Sequence, residues 1–205
     1  MEGGSGAPQR ATAAALARIA EARTAVLVEG ISDQAALEAL AERQGRDLDA
    51  EGVVIVPCGG AHAMPHHLRT LGPRGAALHL VGLCDEAEED YLRRHLARAG
   101  LGRPRDRDDL AALGFFVCVR DLEDEVIRAA GHDLAESVLA AHGDLTSFRT
   151  LQQQPDWRAR DFAAQLRRFL GAGSHRKTRY AGWLVEALPV DAVPAPLVAV
   201  LDRTR

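Results

Sequence analysis

Four short apolar runs alternate with segments of helical periodicity over the first two thirds of the sequence, and this alternation restricts the fold more than any other feature. The runs are TAVLVE (24–29), VVIVPC (53–58), AALHLVGLC (76–84) and FFVCV (115–119). Strands that are separated by helices pair in parallel, because the chain must cross back over the sheet between them. The sequence therefore predicts an α/β core with a parallel four-stranded sheet flanked by helices.

Helical patterns surround and follow these strands. Those of the core lie at 11–23, from 32 or 33 to about 44, at 61–71 and at 88–100, with a polar loop at 101–109, and a further helix follows DLEDE (121–125). After about residue 130 only helical patterns remain, at 133–142, 156–170 and 174–188, followed by a proline-containing tail. We therefore expect three parts, namely a flexible N-terminus (1–10), an α/β core with its leading helix (11–130) and a helical C-terminal extension that packs on the core (131–205).

The composition of the chain indicates the cellular compartment in which it works. No stretch approaches the ~20 apolar residues that a membrane helix needs, and the first ten residues, MEGGSGAPQR, lack the apolar core of a secretory signal. The three cysteines show no CxxC spacing, which argues against a disulfide scaffold or a zinc site and is typical of a reducing compartment. We expect a cytoplasmic protein that does not associate with membranes.

The net charge of −4 conceals an uneven distribution of charge. Five acids lie within DEAEED (85–90) and four within DLEDE (121–125), whereas seven basic residues between Arg158 and Arg179 face a single acid, Asp161. This separation is typical of a protein that holds metal ions and attracts a polyanion. The arginines that would contact phosphates, or else only solvate helix faces, are Arg167, Arg168, Arg176 and Arg179.

Carboxylates follow three of the four predicted strands. They are Glu29 and Asp33 after the first strand, Asp85, Glu86, Glu88 and Glu89 after the third, and Asp121, Glu123, Asp124 and Glu125 after the fourth. The carboxyl ends of parallel strands meet at one edge of the sheet, where ligands bind. Unpaired carboxylates at such an edge would raise one another's pKa values, and a divalent cation would remove that conflict. The pattern predicts a divalent cation that prefers oxygen ligands, such as Mg²⁺.

Ordinary structural roles account for several of these acids taken singly. Ser32 or Asp33 suits a helix N-cap, and Glu86 and Glu89 suit the first turn of a helix because of its dipole. No such role requires Glu29 between a strand and a glycine. The combination of three strand ends therefore favours a metal site.

Lys177 is the sole lysine among 25 basic residues. The charge of lysine is compact, and lysine can lose its proton. The charge of arginine is spread over a planar group, and arginine keeps its proton. Near a cleaved phosphodiester, lysine could neutralise the charge that develops on a non-bridging or leaving oxygen. The alternative is that compositional bias left one lysine by chance at the solvated start of a helix.

Together these motifs resemble a Toprim domain, the fold shared by topoisomerases, primases, recombination-mediator proteins and OLD-family (overcoming lysogenization defect) nucleases. The Toprim pattern has a strand-end Glu-Gly, a glycine after the second strand and an Asp-x-Asp after the third. The strings VLVEGISDQAAL, LVGLCDEAE and DLEDEVI are most similar to the OLD version, as is the lysine in HRKTRYAGWLVEAL. The residues that match the pattern as turn glycines are Gly30 and either Gly59 or Gly60.

The resemblance implies a Rossmann-like Toprim core and an Mg²⁺- or Mn²⁺-dependent endonuclease that acts on DNA. The catalytic residues it implies are Glu29, Asp85 and Lys177, and the metal ligands are Glu29, Asp33, Asp85, Glu88 and Glu123. One position departs from the family pattern, because the second Asp of Asp-x-Asp is Ala87. Glu88 is the replacement that we favour, with Glu86 and Glu89 left open.

Ala87 leaves two other functions open. The first is a catalytically weakened Toprim subunit that binds nucleic acid or a separately encoded ABC-type ATPase, since OLD nucleases carry an ATPase domain and this sequence has no GxxxxGK[ST] motif. The second is nucleotidyl transfer, as in primases, although no dedicated nucleotide pocket is evident. The sequence leaves the oligomeric state and the choice between DNA and RNA open.

Overall fold

The computed structural model describes residues 6–173 and 175–205. In this part of the chain four strands form one parallel sheet in the order β2-β1-β3-β4. The strands are β1 (Thr24–Val28), β2 (Val53–Pro57), β3 (His79–Asp85) and β4 (Phe115–Cys118). The predicted parallel four-stranded sheet flanked by helices is confirmed.

Five helices belong to the first part of the chain. They are α1 (Ala7–Ala17), α2 (Ile31–Arg43), α3 (Met64–Leu71), α4 (Glu89–Ala99) and α5 (Arg107–Ala112). Two of them depart from the sequence prediction. Helix α1 begins four residues early, within the expected flexible N-terminus, because Pro8 is compatible with a first helical turn. Helix α5 lies partly in the expected polar loop, where the Asp106 side chain accepts the Asp109 N–H at 2.9 Å. Residues 1–5 lie outside the described residues.

Five further helices complete the described chain. They are α6 (Leu122–Ala141), α7 (Leu145–Gln152), α8 (Phe162–Gly171), α9 (Arg176–Ala187) and α10 (Ala195–Asp202). Helix α6 begins right after β4 and kinks at Gly131, so it crosses the predicted boundary at residue 130. Helix α8 begins six residues later than predicted, because the Asp161 side chain caps it by accepting the Ala164 N–H at 2.8 Å. Helices α7 and α10 were not predicted.

Alternate residues of the strands point to opposite faces of the sheet, and each face has its own apolar core. Val26 and Val28 pack on the face that is covered by α2 and α6–α10. Ala25 and Leu27 pack on the other face, under α1 and α3–α5. The C-terminal helices therefore share one core with α2. Helix α9 packs directly on α2, since a Cβ atom at Gly182 would be in van der Waals contact with the Ala35 carbonyl oxygen, at 3.5 Å.

A pair of glycines joins the ends of the two neighbouring strands β1 and β2. The backbone N–H groups of Gly59 and Gly60 donate to the Glu29 carbonyl oxygen at 3.1 and 2.9 Å. Both glycines have positive φ angles, 83° and 113°, which favour glycine because it lacks a Cβ atom. This turn holds the backbone of Glu29 at the carboxyl edge of the sheet.

Candidate active site

Three of the predicted carboxylates, Glu29, Asp33 and Asp85, lie together at the carboxyl ends of β1 and β3. Glu29 follows β1, and its side chain lines one pocket with Asp85 at the end of β3. Asp33 lies in the first turn of α2, where its Oδ2 accepts the Gly30 N–H at 2.8 Å. The N-cap of α2 is therefore Gly30, not Ser32 or Asp33 as the alternative interpretation had it. Asp33 is the third residue of the helix, and its bond back to Gly30 fixes its position beside Glu29.

The electrostatic strain of this group is visible in its pKa values. Burial, followed by the charge of Glu29, raises the pKa of Asp85 to about 7. Burial also raises the pKa of Asp33 to about 6, against the opposing Gly30 hydrogen bond and with a further rise from Glu29. Each ionised group therefore opposes the ionisation of its neighbours, and the site favours a bound positive charge.

A second group contains the remaining predicted partners, Glu123 and Lys177. The Nζ atom of Lys177 lies 3.2 Å from Oε2 of Glu123. Burial alone would lower the pKa of Lys177, but the charge and hydrogen bond of Glu123 raise it. The other carboxylate oxygen of Glu123, Oε1, is buried and has no hydrogen-bond partner among the described residues. These two side chains line one pocket with Ser32 and Asp33, so the two groups of acids meet at Asp33.

Glu88 lies apart from the other acids that follow Asp85. Arg107 of α5 donates to Glu86 Oε1 at 2.7 Å and to Glu89 Oε2 at 2.8 Å. Glu88 instead lines a pocket together with Glu29 and Asp85. Of the three replacements left open for Ala87, Glu88 is the one that faces the carboxylate cluster.

Asp121 was noted as a strand-end acid but was not assigned to the site. It caps α6 by accepting the Asp124 N–H at 2.8 Å, and its charge acts on both Asp33 and Asp85. Burial would raise the pKa of Asp121, but an ion pair with Arg167 and the Asp124 bond hold that pKa below its usual value. The position of Asp121 after the fourth strand is the sequence signal that could have assigned it to the site.

Two ring side chains of α4, Tyr91 and His95, were not singled out from the sequence. Both line the pocket that holds Glu29, Asp85 and Glu88. The rings of Tyr91 and His95 lie 4.1 Å apart between centroids. Their spacing from Glu88, three and seven residues along a helix, was the signal that could have placed them on the same face.

The four arginines predicted to contact phosphates differ in their surroundings. Arg167 is paired with Asp121, and Arg176 donates to the Phe169 carbonyl oxygen at 3.2 Å. Arg168 and Arg179 are exposed, and each guanidinium lies over a tryptophan ring, at 5.8 and 5.3 Å from the centroid. Arg168 and Arg179 are therefore the more accessible of the four.

The donor set of the site fits a hard divalent cation, although the side chains do not yet surround one point. Among residues 6–173 and 175–205, no group of three or more His, Cys, Asp or Glu side chains is placed to hold a metal ion. The acids offer carboxylate oxygens, the ligands that Mg²⁺ and Mn²⁺ prefer. The raised pKa values of Asp33 and Asp85 and the unpartnered oxygen of Glu123 are what such an ion would relieve.

The fold of the chain resembles that of OLD-type Toprim domains. Residues 22–82 match the family model described as the Toprim domain of proteins like the overcoming lysogenization defect protein. This match confirms the resemblance inferred from the sequence. An OLD-like Toprim domain indicates a nuclease-type function that acts on nucleic acid, and Toprim domains generally bind divalent metal ions.

Solved structures extend the resemblance over most of the chain. The C-terminal region of the Xanthomonas campestris pv. campestris OLD protein is 28% identical, with a TM-score of 0.65, and the match covers 91% of this chain and 94% of that one. The C-terminal region of the Burkholderia pseudomallei OLD protein is 22% identical, with a TM-score of 0.63 and coverage of 89% and 97%. A search of curated proteins gave no match. None of the helices described is both long and apolar enough to span a membrane.

Proposed function

We propose that the chain is a nuclease that hydrolyses DNA phosphodiester bonds with Mg²⁺ or Mn²⁺. One observation carries this proposal. Glu29, Asp33 and Asp85 lie together, and among the described residues none of the three forms an ion pair with Arg, Lys or His. Elsewhere on this chain acids are paired with arginines, as Glu86 and Glu89 are with Arg107. An acid cluster without a side-chain counterion is what a cation-binding site requires.

The proposed ligands are the five acids Glu29, Asp33, Asp85, Glu88 and Glu123, which would hold one or two ions. A bound divalent ion supplies charge neutralisation and Lewis acidity at the phosphoryl group. The chain itself contributes the position of the acids, which the Gly30–Asp33 hydrogen bond and the glycine turn at Gly59 and Gly60 support.

An open groove of about 750 Å³ would give the substrate access to the site. Glu29, the glycine turns and Lys177 line it. Since the turn glycines Gly30, Gly59 and Gly60 carry no side chains, a phosphate backbone could come close to the main chain there. Lys177 is half-exposed and faces the groove, so we assign it the neutralisation of charge on a phosphate oxygen.

The experiment that tests this function is cleavage of supercoiled plasmid. Purified protein should convert the plasmid to nicked or linear DNA in Mg²⁺ or Mn²⁺, and EDTA should abolish the conversion, since the acids alone offer no charge neutralisation to the phosphate. The double variant Glu29→Ala/Asp85→Asn, purified in parallel, controls for contaminating nucleases. Equal cleavage by this variant and by the natural chain would refute the proposal.

Replacement of Lys177 by methionine should slow cleavage by roughly 100-fold, the usual loss when one preorganised charge-stabilising group is removed. Methionine has an unbranched side chain of similar length that carries neither the charge nor the N–H donors of lysine. Lys177→Arg should recover part of the rate, because the charge returns on a planar, bulkier group. Arg69→Met, at an exposed site on α3, is the matched control and should leave the rate unchanged. Full activity of Lys177→Met would show that Lys177 is merely the lysine left by compositional bias.

A second function is supported by Ala87, which leaves the Asp-x-Asp motif without its second acid. In this account the chain is a weakened Toprim subunit that binds nucleic acid or an ABC-type ATPase without cutting. Calorimetric titration with Mg²⁺ separates the two functions. The nuclease requires binding that depends on Glu29 and Asp85, and the subunit requires weak binding or none.

We also infer a reducing, cytoplasmic location. Cys58, Cys84 and Cys118 are free and buried. Burial raises the pKa of both Cys58 and Cys84 to about 12. Such thiols are uncharged and unreactive, as is usual for core cysteines of proteins from a reducing compartment.

A further inference from the structure

A second groove, of about 460 Å³, lies beside the candidate active site and carries an excess of arginine. It runs between the start of α6 and the segment that leads into α8. The side chains that define it are Arg120, Trp157, Arg160, Arg167 and Arg168, and we call it the arginine groove. Two acids, Asp124 and Asp161, also line it, so its net charge is positive.

Two guanidinium groups of the arginine groove are available to a ligand. Arg120 is paired with Asp124 at 2.9 Å, and Arg167 is paired with Asp121. Arg160 and Arg168 are exposed, and neither forms an ion pair within the described part of the chain. A planar guanidinium binds the oxygens of a phosphate in a bidentate manner, and neither of these two arginines is already paired with a carboxylate in the described part of the chain.

Trp157 gives the groove a fixed aromatic surface. Its carbonyl oxygen accepts the side-chain amide of Gln165 at 2.8 Å, and the Gln165 Oε1 accepts that of Gln152 at 2.8 Å. Gln165 is buried, so this hydrogen-bonded chain ties the turn that carries Trp157 to the core. The ring of Trp157 is half-buried, and it has the Arg168 guanidinium 5.8 Å from its centroid. An aromatic ring next to an arginine is the arrangement on which unpaired bases stack.

One ion pair connects the arginine groove to a strand-end acid, Asp121. Arg167 lines the groove and binds Asp121, and the charge of Asp121 acts on Asp33 and Asp85. The arginine groove therefore reaches the N-terminus of α6, where the strand-end acid Asp121 lies.

We propose that the arginine groove binds the single strand that flanks the cut, with phosphates on Arg160 and Arg168 and one unpaired base on Trp157. The inference rests on the proposed function, because it takes the polyanion to be nucleic acid. Only an unpaired base can stack on Trp157. The inference therefore adds a substrate class, because frayed or single-stranded nucleic acid should bind in preference to intact duplex.

Fluorescence anisotropy of a labelled 12-nucleotide single strand in EDTA tests this inference without cleavage. Arg160→Ala/Arg168→Ala should weaken binding about 10-fold and reduce the salt dependence, with log K against log[salt] flattening by about 1.4 for two phosphates. The matched control is Arg69→Ala/Arg94→Ala, two exposed arginines of α3 and α4 on the other face of the sheet, which should bind like the natural chain.

The tryptophan separates a nucleic-acid strand from any other polyanion. Trp157→Ala should weaken binding of the single strand roughly 10-fold but leave the affinity for duplex DNA and for poly-glutamate unchanged, whereas Trp157→Phe should retain most of the affinity. Equal losses for all three ligands would overturn the inference and indicate a generic polyanion or acidic-peptide surface. Unchanged single-strand binding by the Arg160/Arg168 variant would also overturn it. Because binding is measured in EDTA, without metal or cleavage, these measurements test the arginine groove even if the chain is not a nuclease.

Discussion

Glu29→Gln is expected to lower the single-turnover rate of DNA cleavage in saturating Mn²⁺ by roughly 1,000-fold, the upper range for loss of one charge-stabilising group. The substitution keeps the shape of the side chain and removes its charge. Glu29 lies at the end of β1 and acts on both Asp33 and Asp85, so its neutralisation affects the whole cluster. Quenched-flow measurement with a short labelled duplex would give the rate.

The Glu29 side chain can be changed with little effect on the fold. The glycine turn binds its carbonyl oxygen, not its carboxylate, so Glu29→Gln should fold like the natural chain. In EDTA it should melt no lower than the natural chain, because loss of the Glu29 charge relieves Asp33 and Asp85. Glu42→Gln, at an exposed position on α2, is the matched control and should cleave normally. A Glu29→Gln protein that is folded and fully active would show that the cluster takes no part in cleavage.

Asp85→Asn is expected to abolish cleavage and at the same time to stabilise the metal-free protein at pH 8. The pKa of Asp85 is raised from the usual 3.8 to about 7 in the folded state. The folded chain therefore binds more protons than the unfolded chain between these values, and its stability falls as the pH rises through them. Above about pH 7 the ionised carboxylate opposes folding, and an uncharged amide does not.

Thermal unfolding in EDTA measures this effect. At pH 8 the melting temperature of Asp85→Asn should exceed that of the natural chain by about 2–5 °C, and at pH 5 the difference should shrink. Mn²⁺ should then stabilise the natural chain and have little effect on the variant. Asp156→Asn, at an exposed site, controls for surface charge. A lower melting temperature for Asp85→Asn at pH 8 would mean that Asp85 has a structural role.

The sheet could be predicted because each strand is a short apolar run and the chain between the strands has helical spacing. The helices that the sequence did not predict have local causes. Helix α5 depends on the Asp106 cap, and α10 on a proline that is compatible with its first turn. Helix α6 was predicted as two separate pieces, because the kink at Gly131 divides its apolar pattern. Each of these features depends on a single residue, and an analysis of hydrophobic periodicity does not detect it.

The site could be predicted in part, because parallel strands bring their carboxyl ends to one edge. The proximity of Glu29, Asp33 and Asp85 follows from that rule. The ion pairs that distinguish one acid from another do not follow from this rule. Arg107 takes up Glu86 and Glu89, and Lys177 reaches Glu123 from α9. Each of these contacts joins elements far apart in the chain, and no local pattern in the sequence specifies them.

Titration of the protein with Mn²⁺, with free Mn²⁺ measured by electron paramagnetic resonance at pH 7.5, tests the central claim most directly. We predict that the natural chain binds one or two ions, and that Glu29→Gln and Asp85→Asn each weaken binding at least about 10-fold, while Glu42→Gln binds like the natural chain. If the natural chain bound no Mn²⁺ below millimolar concentrations, or if all four proteins bound it equally, the carboxylates at the strand ends would not form a metal site.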